Sequence, residues 1–268
     1  MNGEGALAAL LADPVFEIMP LVSVSDALPS LPAGARVSIT ASPARGLDAT
    51  LDLSEELAAA GFRVIPHVAA HYLRDEGHLA EVLERVAAAG ITAAFVAGGD
   101  VDQAGPYADA LSVLEAMAEQ PNRPPDVGIA AHPQGHPDIP ADALASALTA
   151  KAPHATWATT QLCFNVTALA AWIRARRAEG LTLPLWIGVP GVVDAARLLR
   201  VALRIGVTDA AGYVDPDAGT YRPDALLAEL APLLADPSLG IQGLHLYSFN
   251  EVAATESWRA HFLENLRA

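Results

Sequence analysis

Along this chain short apolar or β-branched runs alternate with longer alanine- and leucine-rich segments of helical spacing. The short runs fall at 15–21, 36–40, 63–68, 92–97, 126–131, 156–163, 183–189 and 241–248, and they read as eight strands. Helices are expected between them at 52–60, 78–89, 107–119, 141–151, 166–179 and 193–204. One more is expected at 224–234, ahead of the last strand, and another at 257–266 closes the chain. Strands that alternate with helices pair in parallel, because each crossover helix returns the chain to the same end of the sheet. Eight such units in 268 residues predict the α/β class, and within it a single (β/α)8 TIM barrel with a parallel eight-stranded core spanning 1–268. The Pro- and Gly-rich patches at 121–125 and 135–140 are too short for linkers and read as loops.

Composition fits this reading. Hydrophobic residues make up 52% of the chain and charged ones only 18%, as helices packed on a buried sheet require. The opening residues MNGEGALAALLADP carry an acid and no basic region before their short apolar run, which is not the layout of a signal peptide. No stretch approaches the roughly 20 apolar residues of a membrane span, so a cytoplasmic location without membrane partners is expected. Cys163 is the only cysteine, which excludes an internal disulfide and a zinc site built from several thiolates. A formal charge of −15 repels phosphate backbones, and no nucleic-acid partner is expected.

In a barrel the chemistry gathers at the C-terminal ends of the strands. Glu17 interrupts the first run, Thr40 ends the second and His67 the third, while Asp100 follows the fourth through Gly98 and Gly99. His132 and His136 follow the fifth, Gln161 lies in the sixth, Gly191 follows the seventh, and 247–250 closes the eighth. A carboxylate buried alone is costly, so Glu17 in VFEIMPLV is either a functional acid or half of a buried ion pair with an arginine. Asp100 in GGD has a plainer alternative, a turn whose aspartate caps the next helix.

His67, His71, His132 and His136 raise the question of a metal. With no HExxH pattern present they serve equally well as hydrogen-bond donors to a ligand, and no metal is expected. Cys163 reads as a small buried hydrophobe. Lys151, the only lysine, reads as a cation at the end of its own helix, with a cofactor phosphate as the sharper alternative.

Taken in order, FE at Glu17, PH at His67, GGD at Asp100, AAHPQGHP at 130–137, TTQLCFN at 159–165, PG at Gly191 and GLHLYSFNE at 243–251 resemble the methylenetetrahydrofolate reductase family. The resemblance implies reduction of 5,10-methylenetetrahydrofolate to 5-methyltetrahydrofolate with hydride from NADH or NADPH. It implies Glu17 as the acid that opens the folate ring to an iminium and Asp100 as the charge that stabilises that cation. Gln161, Thr40 and Tyr247 would contact the folate, and His67, His132, His136 and Gly99 would contact the cofactor. At Ala41, Gly98 and His132 the chain departs from the aromatic and arginine positions of flavin-holding members. FAD is therefore expected to be absent, and hydride to pass directly from nicotinamide to folate. The alternatives are an FAD-dependent reductase with ping-pong kinetics and a noncatalytic pterin-binding barrel.

Overall fold

The computed structural model describes residues 2–21, 28–215 and 219–267. The barrel strands are β1 (Val15–Ile18), β2 (Arg36–Ile39), β3 (Arg63–Ala69), β4 (Ala93–Ala97), β5 (Asp126–Ala131), β6 (Trp157–Thr160) and β7 (Leu185–Pro190). After the two-residue strands β8 (Val193–Asp194) and β9 (Thr220–Tyr221), which pair antiparallel outside the barrel, β10 (Ile241–Tyr247) completes the ring. The order β1-β10-β7-β6-β5-β4-β3-β2 closes on itself with every neighbour parallel, so the fold is a (β/α)8 TIM barrel.

Several strands stop short of their apolar runs. Ahead of Pro20, which has no N–H to offer a ladder, β1 ends at Ile18 and not at Leu21. Side-chain amides end β6: the Leu162 N–H goes to Oε1 of Gln161 and the Phe164 N–H to Oε1 of Gln134, at 2.9 and 3.0 Å.

The helices are α1 (Gly3–Ala12), α2 (Gly46–Ala59), α3 (Glu76–Ala88), α4 (Ala110–Ala118), α5 (Ala141–Lys151), α6 (Val166–Ala178), α7 (Ala195–Arg204), α8 (Asp224–Leu234) and α9 (Val252–Arg267). The first of these was not expected. Asn2 caps it by accepting from the Gly5 N–H, and Leu7 and Leu11 are buried as it packs across α8 and α9.

Helix α2 begins at Gly46, ahead of the expected start at Asp52, and Asp52 instead pairs with Arg85 of α3 at 2.7 Å. Helix α4 begins at Ala110 because Asp109 and Ser112 form a capping box there, so its cap is Asp109 and not Asp100. Val193 and Asp194 belong to β8, and α9 starts at Val252, ahead of the expected 257.

Alternate residues of each strand face opposite sides. One set, including Val37, Ile39, Val68, Val96, Ile129, Ile187 and Leu246, is fully buried against the helices. Each such side chain contributes about 1.5–3 kcal/mol through lost contact with water. The other set points into the barrel. At its N-terminal end the Trp157 and Trp186 rings occupy the space that side chains at Gly128 and Gly243 would need. Arg36 stacks 4.8 Å from the centre of the Trp186 ring. Asp13 holds Arg36 at 3.0 Å and also binds Arg63, and the Arg63 hydrogen bond keeps the Asp13 carboxyl below its usual range. Among the described residues no helix is long and apolar enough to cross a membrane.

Candidate active site

Several inward positions nearest the C-terminal mouth are polar, among them Glu17, Ser38, His67 and His245. Glu17 on β1 accepts a hydrogen bond at 3.0 Å from Nε2 of His245 on β10, the neighbouring strand. On its other side Nε2 of His67 lies 3.8 Å from the same carboxylate oxygen. Strand β2 separates β1 from β3, so this approach runs through the barrel interior. His67 also shares a 2.8 Å hydrogen bond with the Ser38 hydroxyl of β2 and packs against the Phe95 ring of β4. The carboxylate is therefore flanked by two imidazoles, not by the arginine that a buried ion pair would supply.

Burial brings the His67 pKa down to about 4, against the opposing pull of the Glu17 charge, so this imidazole is neutral at pH 7. Side-chain exposure is 18% for Glu17, 12% for His67 and 5% for His245, so the carboxylate is the most accessible member of the group. Tyr247 lies beside His245 and is kept a neutral phenol, first by burial and then by the charge of Glu17. Its hydroxyl donates to the Thr160 carbonyl at 2.9 Å.

The remaining residues expected at the site make contacts of their own. Asp100 is exposed, and its charge is felt by Tyr72; among the described residues no hydrogen bond or ion pair joins it to Glu17. Gly99 packs beside His71, and Gln161 uses its Oε1 on its own neighbour Leu162. The Thr40 N–H donates to Ile18, and its carbonyl accepts from Thr50. His132 and His136 stand edge to face at 5.7 Å in a separate group with Lys151. Burial, then Lys151, then His136 hold the His132 pKa down at about 4. The Lys151 ammonium reaches the Ala130 carbonyl of β5 at 3.4 Å instead of the carbonyls ending its own helix. Cys163 is buried, which pushes its thiol up to about 12. Among the described residues no group of three His, Cys, Asp or Glu side chains is placed to hold a metal ion.

His245 and Ser38 were not anticipated. The signal for His245 was the alternation itself, since it sits two residues before Tyr247 on the same face of β10.

No protein-family model matches the chain. In fold it is similar to a protein from Burkholderia cenocepacia J2315 described as a lyase/mutase, at 18% identity and TM-score 0.50, over 99% of this chain and 86% of that one. It is also similar to oxaloacetate acetylhydrolase, at 14% identity and TM-score 0.54, over 99% and 87% of the two chains. A third is a chitinase from Rhizomucor miehei, at 12% identity and TM-score 0.53, over 95% and 100%. At such identities the likeness is one of fold.

These findings correct the family expectation. The neighbours are a lyase/mutase and hydrolases, and not methylenetetrahydrofolate reductase. Oxidoreductase activity and the folate substrate fall with that assignment, as do the FAD-dependent and pterin-binding alternatives. The physical reason is that each motif is short and sits at a strand end, where barrels of unrelated chemistry place glycine turns and polar side chains.

Proposed function

We propose that this chain is a barrel enzyme of lyase or hydrolase type that works by proton transfer at Glu17, on a small polar substrate entering at the C-terminal mouth. One observation carries the reading: a partly accessible carboxylate inside the barrel, held by an imidazole at 3.0 Å and faced by a neutral one at 3.8 Å. His245 fixes the carboxylate, and the neutral His67 places no positive charge beside it, so Glu17 is oriented to accept a proton. In a lyase reaction that proton comes from a substrate hydroxyl as the adjacent C–C bond breaks: the hydroxyl carbon becomes a carbonyl, and the bond's electron pair leaves on the other fragment as an enolate, which then takes up a proton. In a hydrolase reaction it comes from water as the oxygen adds to a substrate carbonyl. Both versions use the same residues in the same protonation states.

The names of the fold neighbours support placing bond cleavage ahead of redox chemistry, and oxaloacetate is the first compound to try. Purified protein incubated with oxaloacetate and with related 2-oxo and 2-hydroxy acids, followed by proton NMR, should release two smaller fragments or a hydrated product from one of them. The same release from the Glu17→Gln variant would reject the assignment of Glu17.

A further inference from the structure

The turn that follows β10 has two successive non-glycine residues in the left-handed region, Phe249 at φ 53° and Asn250 at φ 65°. A left-handed backbone is uncommon for residues other than glycine, and at the bulky Phe249 above all the surroundings must hold it there. What the turn accomplishes is visible in the hydrogen bonds that its side chains direct at the end of β1. The Ser248 hydroxyl donates to the Glu17 carbonyl, and the Asn250 N–H donates to that hydroxyl at 3.2 Å. The Asn250 side-chain oxygen accepts from the Met19 N–H at 2.8 Å. Its amide nitrogen donates to the Met19 carbonyl at 3.4 Å, which also takes the Leu21 N–H at 2.7 Å. The ladder pairs of β1 with β10 end at Glu17, so the carboxamide continues by side chain what the strands no longer provide. From outside, Arg197 covers the Phe249 ring at 5.7 Å and meets Glu251 at 3.8 Å.

We propose that Asn250 is a positioning residue for Glu17: by gripping Met19 while Ser248 grips Glu17 itself, the turn fixes where the carboxylate stands against His245 and His67. This rests on the reading of Glu17 as the proton-transferring group. Asparagine tolerates the left-handed backbone, and its carboxamide can both accept and donate. Misplacement by about 1 Å at a reacting group costs up to about 100-fold in rate, so a backbone grip of this kind acts on turnover without touching substrate.

The test is Asn250→Gly, which accepts the left-handed backbone and removes only the grip, compared with Asn250→Asp, which keeps the acceptor, and with Glu17→Gln. Ring signals of His245 and His67 in histidine-labelled protein give a readout that needs no substrate. The expected result is displaced His245 and His67 signals in Asn250→Gly, with part of the displacement restored in Asn250→Asp. On whatever substrate the wild type turns over, kcat should fall by about 10- to 100-fold with KM little changed. A merely structural role would lower the melting temperature and leave the ring signals alone. Asn250→Gly signals coincident with wild type, while Glu17→Gln moves them, would overturn the proposal. Full turnover by Glu17→Gln would overturn the function of Glu17 instead, and the ring signals would still decide whether Asn250 sets its position.

Discussion

The Tyr247 hydroxyl donates to the Thr160 carbonyl at 2.9 Å although their strands, β10 and β6, are separated by β7. The ring passes directly over Gly188, where a Cβ would lie 2.3 Å from the Thr160 oxygen and 2.5 Å from the ring. The Gly188 N–H completes the arrangement by donating to the Thr160 hydroxyl at 2.9 Å. Gly188→Ala should therefore destabilise the fold by about 1–3 kcal/mol, the usual cost of forcing extra volume into a packed interior. Denaturant midpoints at constant slope measure it, and an unshifted midpoint would mean that the ring has another place to go.

Glu17→Gln keeps the size of the side chain and removes the group that exchanges a proton. It should fold with the wild-type circular dichroism spectrum and lose about 100- to 10,000-fold in turnover, the range for a missing acid or base. Turnover within a few-fold of wild type would return Glu17 to a structural role.

Acid should destabilise the protein through His67. Its folded pKa is about 4, below the unfolded value of 6.5, so between these two the unfolded chain binds the extra proton. Stability from this group is full above about pH 6.5, falls as the pH drops towards about 4, and levels off below. The loss is on the order of 3 kcal/mol for a group this deeply buried. His132, held down to about 4 chiefly by burial, adds a loss of the same sign. A His67→Gln variant should show a shallower decline of unfolding free energy over that window, and an undiminished decline would assign the acid sensitivity elsewhere.

Lys151 contributes to the low pKa of His132 after burial itself. Replacing it by methionine, which keeps the length of the side chain, should raise the His132 pKa, as read from ring chemical shifts during titration. A value that stays or falls would show that the Lys151 charge plays no part in it.

The eight strands were legible because a parallel sheet covered on both faces produces unbroken apolar runs. Their ends were not, since Pro20 and the amides of Gln161 and Gln134 stop pairing for reasons that apolarity does not record. Helix α1 was hidden because its glycines weaken local propensity, whereas Gly3 is placed by a contact with the Ala231 backbone far along the chain. At the site, Glu17 and His67 stood out as polar residues in apolar runs. Asp100 stands beyond the end of β4 and Gln161 one residue past β6, where strand alternation no longer sets the direction of a side chain. The ordered motifs carried the geometry of a barrel mouth, which many chemistries share.

At the base of the barrel the Trp157 ring and the Trp186 ring, the latter stacked with Arg36, make the interior a cup and not a tube. Traffic in a cup runs both ways through one rim. On the reading proposed for Glu17, whatever reacts there must depart past the loops that admitted it before the next molecule can settle, so product and substrate would compete for a single doorway.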